Sequence, residues 1–122
     1  MKTWVGVDLD GCLAEYHGDP LTIGKPVPKM MRRVKRLLKA GKEVRIFTAR
    51  VYYGPERSGL ASANCKWVRN QRRLIRDWTI KHVGKELKAT CIKDFLMEYL
   101  YDDRARQVVF NTGELVGKRR GK

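Results

Sequence analysis

Apolar residues recur along the chain with two periods, one typical of strands and one typical of helices. The apolar run from Thr3 to Leu9 predicts a buried strand, and the run from Glu43 to Thr48 predicts a second one. Between them, Pro28 opens a segment with apolar residues on one helical face and basic residues on the other, and Gly41 marks its end. Strand, helix and strand in this order predict a βαβ unit with a parallel pair of strands.

The rest of the pattern predicts a second helix, shorter strands and two irregular segments. Apolar residues at helical spacing predict a helix from Lys66 to His82. Glycine-containing and proline-containing breaks predict loops at residues 12–27 and 52–64. Short apolar runs predict three more strands, at residues 89–92, 97–101 and 107–110. This alternation indicates the α/β class with an open, mainly parallel sheet.

Length and composition narrow the class of protein further. The 122 residues fit one compact domain, expected over residues 1–116, with a basic mobile tail over residues 117–122. Lysine and arginine number 27 against 13 acidic residues, a net charge of +14 that suits phosphorylated or nucleic-acid partners and equally suits a plain solvated surface. Three cysteines without a CxxC pair and the lack of a membrane-length apolar run favour a cytoplasmic protein with no membrane partner.

Two of the predicted strands end in pairs of carboxylates. Asp8 and Asp10 follow the first strand, and Asp102 and Asp103 follow the strand at residues 97–101. Because ligands of open α/β sheets bind beyond the carboxyl ends of the strands, these acids are expected to converge on one site. Crowded carboxylates repel each other, and a hard cation such as Mg²⁺ relieves that repulsion and neutralises a bound phosphate. One acid of the first pair can then attack phosphorus while the other transfers protons.

Side chains that suit a phosphate follow the other predicted strands. Thr48 ends the second strand, and its hydroxyl and backbone can point to the same rim of the sheet. Lys93 lies just past the third strand, where its ammonium group can neutralise a phosphoryl group. Arg50 is either a contact for the phosphate or base of a substrate or one half of a structural salt bridge.

Four segments in order resemble the motifs of the haloacid dehalogenase-like (HAD) phosphohydrolase superfamily. They are Asp8-Leu9-Asp10-Gly11, Phe47-Thr48-Ala49-Arg50, Lys93 and Tyr101-Asp102-Asp103-Arg104-Ala105. The resemblance implies an open, Rossmann-like, mainly parallel sheet with flanking helices. No segment is long enough for the full cap domain of larger members, and the chain is similar to short HAD-like proteins of phage genomes.

The resemblance implies a Mg²⁺-dependent phosphomonoester hydrolase that forms an aspartyl-phosphate. In that scheme Asp8 would be the nucleophile and a metal ligand, and Asp10 the general acid-base residue, with its backbone carbonyl on the metal. Asp102 and Asp103 would complete the metal site, with Asp103 favoured as the direct ligand.

The same resemblance assigns the phosphoryl group to Thr48 and Lys93. The segment Thr48-Ala49-Arg50 looks like that of nucleotidase-type and polynucleotide-phosphatase relatives, and Arg50 stays a candidate phosphate contact with the salt bridge as its alternative. The expected substrate is therefore a nucleotide or the terminal phosphate of a nucleic acid.

Several of these residues also have plainer interpretations. Asp-Gly is a common turn, Thr48 can be a helix cap, and Lys93 can be a solvated lysine. Trp67 and Trp78 fall at helical spacing and are interpreted as core residues, not as a base-stacking platform. The alternative function is a non-catalytic nucleic-acid-binding module on the same fold, and the intact first acid pair counts against it. A dehalogenase or phosphomutase is a third hypothesis.

Overall fold

The computed structural model describes residues 2–52 and 65–117, and in this part of the chain four strands form one sheet. In chain order they are β1 (Trp4–Asp8), β2 (Glu43–Phe47), β3 (Ala89–Thr90) and β4 (Met97–Tyr101). The spatial order is β3-β2-β1-β4, and each neighbouring pair is parallel. The predicted α/β class and parallel sheet are therefore confirmed. Apart from Tyr52 and Gly117, the loop at residues 52–64 and the tail at residues 117–122 lie outside the described residues.

Two helices flank the sheet, with the bounds that the sequence pattern predicts. α1 (Pro28–Lys39) begins at a proline, whose missing N–H is not needed in the first turn, and ends before Gly41, which has a φ of 87°. α2 (Lys66–His82) begins after Cys65. Both helices and one face of the sheet share an apolar core, which includes Val7, Met31, Val34, Val44, Ile46, Val68, Ile75 and Trp78. Neither helix has the length and apolar content that crossing a bilayer requires.

The structure differs from the sequence-based prediction at residues 107–110, where the expected fifth strand of the sheet is wrong. Val108 instead forms an isolated antiparallel bridge with Leu115. Asn111 and Gly113, between them, have φ values of 64° and 80°, so the chain reverses directly after the apolar run. Pairing across this local turn takes the place of pairing with the sheet.

The third strand is shorter than the apolar run at residues 89–92 indicates. Its two residues, Ala89 and Thr90, pair with Ile46 and Phe47 of β2. Because β2 ends at Phe47, residues beyond Thr90 have no neighbour with which to continue the ladder. The chain therefore leaves the sheet two residues earlier than expected.

The loop at residues 12–27, here called the front loop, folds back on itself directly after β1. The backbone N–H of Glu15 donates to the carbonyl of Lys25 at 2.8 Å. Gly24 packs against this pairing so closely that an added Cβ atom would lie 2.2 Å from the carbonyl oxygen of Glu15. Only glycine fits at this position, and the predicted irregular segment is a compact hairpin.

Candidate functional site

The carboxyl ends of β1, β2 and β4 meet at one edge of the sheet, where the chain forms an open cavity of about 790 Å³. Parallel pairing brings the ends together, since Asp8 is in register with Phe47 and Val7 is in register with Tyr101. Most of the predicted site residues line this cavity, namely Asp8, Asp10, Thr48, Arg50, Asp102 and Asp103. Residues from three distant segments of the sequence thus share one cavity.

Lys93 is the predicted site residue that the structure does not bring to this cavity. It is exposed in the connection between β3 and β4, and it does not belong to the described residues that line the cavity. The early end of β3 at Thr90 explains its position, because the chain has already left the sheet. A phosphate contact at Lys93 stays a prediction that this arrangement does not support.

Asp8, Asp102 and Asp103 form a compact acid cluster. Each residue contributes one carboxylate oxygen, and these oxygens all lie within 4.8 Å of one another. Asp103 packs tightly against the turn after β1, where a Cβ atom added to Gly11 would lie 3.0 Å from its Oδ2. Asp102 accepts a hydrogen bond from the backbone N–H of Arg104 at 2.8 Å. Both acids after β4 therefore belong to the cluster, and the geometry does not favour Asp103 over Asp102.

The acid cluster makes Asp8 hard to ionise. The pKa of Asp8 is raised from 3.8 to about 8, first by burial and then by a hydrogen bond with Asp103 and by the charges of Asp102 and Asp103. A divalent cation would oppose each of these effects, and carboxylate oxygens are the ligands that Mg²⁺ prefers. The donor set therefore fits Mg²⁺ held by Asp8, Asp102 and Asp103.

The raised pKa of Asp8 predicts that the metal-free protein loses stability as the pH rises. Between roughly pH 4 and pH 8 the folded protein holds a proton on Asp8 that the unfolded chain has released. The free energy of unfolding therefore falls across this window, by on the order of 1–2 kcal/mol once solvent screening of a half-buried carboxyl group is allowed for. Asp8→Asn removes this pH dependence.

Thermal unfolding in excess chelator, at about pH 5 and about pH 8, measures this effect. Asp77→Asn is the matched control, because the Asp77 side chain is 64% exposed and lies outside the cluster. We expect the melting temperature of the parent and of the control to fall by about 4 °C more than that of Asp8→Asn. The same fall in all three proteins would contradict the prediction.

Arg50 is 8% exposed, and the five N–H donors of its guanidinium group are all taken up within the protein. Nε and Nη2 donate to the two carboxylate oxygens of Asp10 at 2.7 and 2.9 Å, which makes a bidentate ion pair. The other donors reach the carbonyls of Pro20 and Thr22 and the side-chain oxygen of Gln71, at 3.0, 2.8 and 2.9 Å. The salt bridge is thus the interpretation of Arg50 that the structure shows, and a phosphate would have to displace one of these bonds.

Gln71 extends the same network from α2 to the front loop. Its side chain is 1% exposed, and its Nε2 donates to the carbonyl of Pro20 at 2.8 Å. Two turns further along α2, the indole N–H of Trp78 donates to the carbonyl of Gly24 at 2.9 Å. Hydrogen bonds from two side chains of α2 therefore hold the front loop at Pro20 and Gly24, in addition to the bonds from Arg50.

Thr48 is buried and lines the cavity. Its hydroxyl oxygen accepts a hydrogen bond from the backbone N–H of Arg50 at 3.1 Å and so caps the short 3-10 helix at Ala49–Val51. An accepting hydroxyl keeps its own proton, which it can donate to a ligand. The capping role and the phosphate role of Thr48 are therefore compatible.

Tyr16, Trp67 and Arg104 also line the cavity, and sequence reasoning did not predict any of them as a site residue. Arg104 directly follows the acid pair, a position that could have marked it as a cation of the site. Trp67 is half-buried, and it packs against the core. It also lines the cavity, which its interpretation as a core residue did not predict. Tyr16 carries no signal in the sequence, because its place depends on how the front loop folds.

Comparison with known proteins gives no match to a protein-family model, to a curated protein or to a solved structure.

Proposed function

We propose that this protein is a small Mg²⁺-dependent phosphomonoester hydrolase of the HAD-like superfamily, with Asp8 as its nucleophile. The observation that carries the proposal is the acid cluster of Asp8, Asp102 and Asp103, which shares one cavity with Asp10 at the carboxyl edge of a parallel sheet. That edge is where open α/β sheets bind their ligands. The strand order and the flanking helices are compatible with the Rossmann-like architecture of that superfamily.

Two carboxylates divide the chemistry in this proposal. An oxygen of Asp8 attacks phosphorus, the bond to the leaving oxygen breaks, and an aspartyl-phosphate forms. Asp10, which lies at the cavity wall beside Arg50, takes up a proton from solvent, gives it to the leaving oxygen and then takes one from the water that releases phosphate. Mg²⁺ bound by the acid cluster would neutralise charge between the substrate and the attacking carboxylate.

The cavity also offers two groups that suit the phosphoryl oxygens. The hydroxyl of Thr48 can donate a hydrogen bond, and the side chain of Arg104 places a positive charge in the lining. The N–H donors of Arg50 are already bonded within the protein, so we propose Arg104 instead as the cation that contacts the phosphate. Lys93 does not belong to the described residues that line the cavity, and it has no role in this proposal.

The expected substrate is a nucleotide or the terminal phosphate of a nucleic acid. The net charge of +14 attracts polyanions, and the solvent face of α1 presents a row of exposed basic side chains: Lys29, Arg32, Lys35, Arg36 and Lys39. A non-catalytic nucleic-acid-binding module fits this charge equally well. The acid cluster favours the enzyme, because three carboxylates would repel a nucleic acid unless a cation were bound among them.

Phosphate release should require a divalent cation and the acids that hold it. We expect Mg²⁺ to support hydrolysis in a screen of nucleotides, sugar phosphates and phosphate-ended oligonucleotides, and excess chelator to stop it. Asp103→Asn should raise the Mg²⁺ concentration for half-maximal rate by roughly tenfold or more, since even indirect partners of a metal contribute about 10–100-fold to its affinity. Asp77→Asn, outside the cluster, should leave it unchanged. Full turnover in chelator would rule out the metal-dependent mechanism.

A further inference from the structure

The cavity lining combines the acid cluster with aromatic side chains from two other elements. Tyr16 belongs to the front loop and is 51% exposed, while Trp67 lies in the first turn of α2 and is half-buried. Both line the same cavity as Asp8. A site that only had to bind inorganic phosphate would have no use for two large aromatic rings in its lining.

Buried hydrogen bonds connect the two segments that carry these rings, the front loop and α2. Gln71 of α2 donates to the carbonyl of Pro20 in the front loop at 2.8 Å, and Trp78 of α2 donates to that of Gly24 at 2.9 Å. The front loop, which carries Tyr16, is therefore tied at Pro20 and Gly24 to the helix that carries Trp67. Preorganisation of this kind limits the conformational freedom that binding a ligand would otherwise remove.

We propose that Tyr16 and Trp67 form a subsite for the nucleobase of a nucleoside phosphate whose phosphoryl group lies at Asp8. This inference rests on the proposed function and names its substrate class. Aromatic side chains stack on any base, because every base has a π-face. The cavity of about 790 Å³ falls in the range of sites that take small organic ligands, so its volume is sufficient for a nucleoside phosphate.

A binding experiment tests the subsite without turnover. The chain has three tryptophans, and Trp4 and Trp78 are 1% and 7% exposed, which leaves Trp67 as the one that faces the cavity. We expect adenosine 5′-monophosphate to quench the fluorescence of Asp8→Asn protein in Mg²⁺, and ribose 5-phosphate not to do so. Adding Trp67→Phe should abolish the quench. Adding Tyr16→Ala should weaken nucleotide binding by roughly fivefold or more, the effect of losing one stacking ring.

Turnover of the otherwise unmodified protein gives a second readout. We expect kcat/KM for adenosine 5′-monophosphate to exceed that for ribose 5-phosphate by roughly tenfold or more, and Tyr16→Ala to lower only the nucleotide value. Phe110→Ala is the matched control, since Phe110 is 85% exposed and lies outside the cavity lining, and it should change neither value. A phosphate-ended oligonucleotide could have a higher kcat/KM than the mononucleotide at low salt and lose this advantage at higher salt. That result would show that the base in the subsite belongs to the end of a nucleic acid.

The failures of the two proposals are distinguishable. Hydrolysis of both substrates at equal kcat/KM, with no effect of Tyr16→Ala or Trp67→Phe, overturns the aromatic subsite and leaves the phosphatase in place. Nucleotide binding that depends on Trp67 and Tyr16, without phosphate release from any substrate, supports the subsite and overturns the phosphatase. If the protein neither binds nor hydrolyses the nucleotide, the subsite is overturned as well.

Discussion

Asp8→Asn is expected to reduce Mg²⁺-dependent phosphate release by roughly 10⁴-fold or more, the scale on which enzymes lose activity without their nucleophile. The amide is nearly the same size as the carboxyl group, but its oxygen is a poor nucleophile towards phosphorus. The fold should persist, because Asp8 is the last residue of β1 and its substitution also relieves the crowding that raises its pKa. Initial rates with a saturating substrate, together with circular dichroism, measure both effects.

Two comparisons make this prediction specific to the nucleophile. Asp77→Asn changes an exposed acid outside the cavity and should keep full activity. Asp10→Asn should retain more activity on a substrate with a good leaving group, such as an aryl phosphate, than on an alkyl phosphate, because only the alkyl leaving oxygen needs a proton. If Asp8→Asn keeps activity within a few-fold of the parent, the nucleophile assignment is wrong.

Arg50→Met is expected to lower the free energy of unfolding by about 3–5 kcal/mol, the range for breaking a buried ion pair from one side. The substitution would leave the carboxylate of Asp10 without its bidentate partner and would remove the donor that Arg50 gives to the carbonyl of Thr22. The carbonyl of Pro20 would keep its bond from Gln71. Arg50→Lys should recover only part of the loss, because an ammonium group cannot supply the fork of donors that Arg50 directs at these oxygens. Denaturant unfolding of the metal-free proteins measures the difference.

The chain supplies a matched control in Arg76, which pairs with Asp77 at 3.3 Å while its side chain is 48% exposed. Arg76→Met should change the free energy of unfolding by less than about 1 kcal/mol, as exposed pairs do. A double variant of Arg50→Met and Asp10→Asn should be more stable than Arg50→Met alone, because it removes the charge left unpaired. A loss below about 1 kcal/mol for Arg50→Met would show that the network contributes little.

The regular elements could be predicted because local patterns determine them. The proline at the start of α1 and the glycine after its end match its bounds, and the helical spacing of apolar residues does the same for α2. The apolar run at residues 107–110 looks like any other strand, but whether a strand joins the sheet depends on which neighbour is free. Here the turn at Asn111 and Gly113 brings Leu115 back to pair with Val108. Strand propensity alone does not predict which segment a strand pairs with.

The acids of the candidate site could be predicted because parallel pairing makes the ends of strands neighbours. The same reasoning failed to find the other partners of Arg50, since they are loop carbonyls and the side chain of a buried glutamine of α2. Arg50 showed the difficulty most clearly, because a phosphate contact and a salt bridge have the same sequence signal. Burial and the count of occupied donors distinguish the two, and both require coordinates.

The strand order β3-β2-β1-β4 also has a consequence for the order of folding. β1, β2 and β3 follow one another with a helix in each connection, so they can pair as soon as each has been synthesised. β4 instead pairs with the opposite edge of β1, where Met97 lies beside Trp4, and contacts so distant in sequence form slowly. The repulsion among the three carboxylates therefore arises only when β4 docks. We expect a divalent cation to accelerate that last docking step and to leave the earlier steps unchanged.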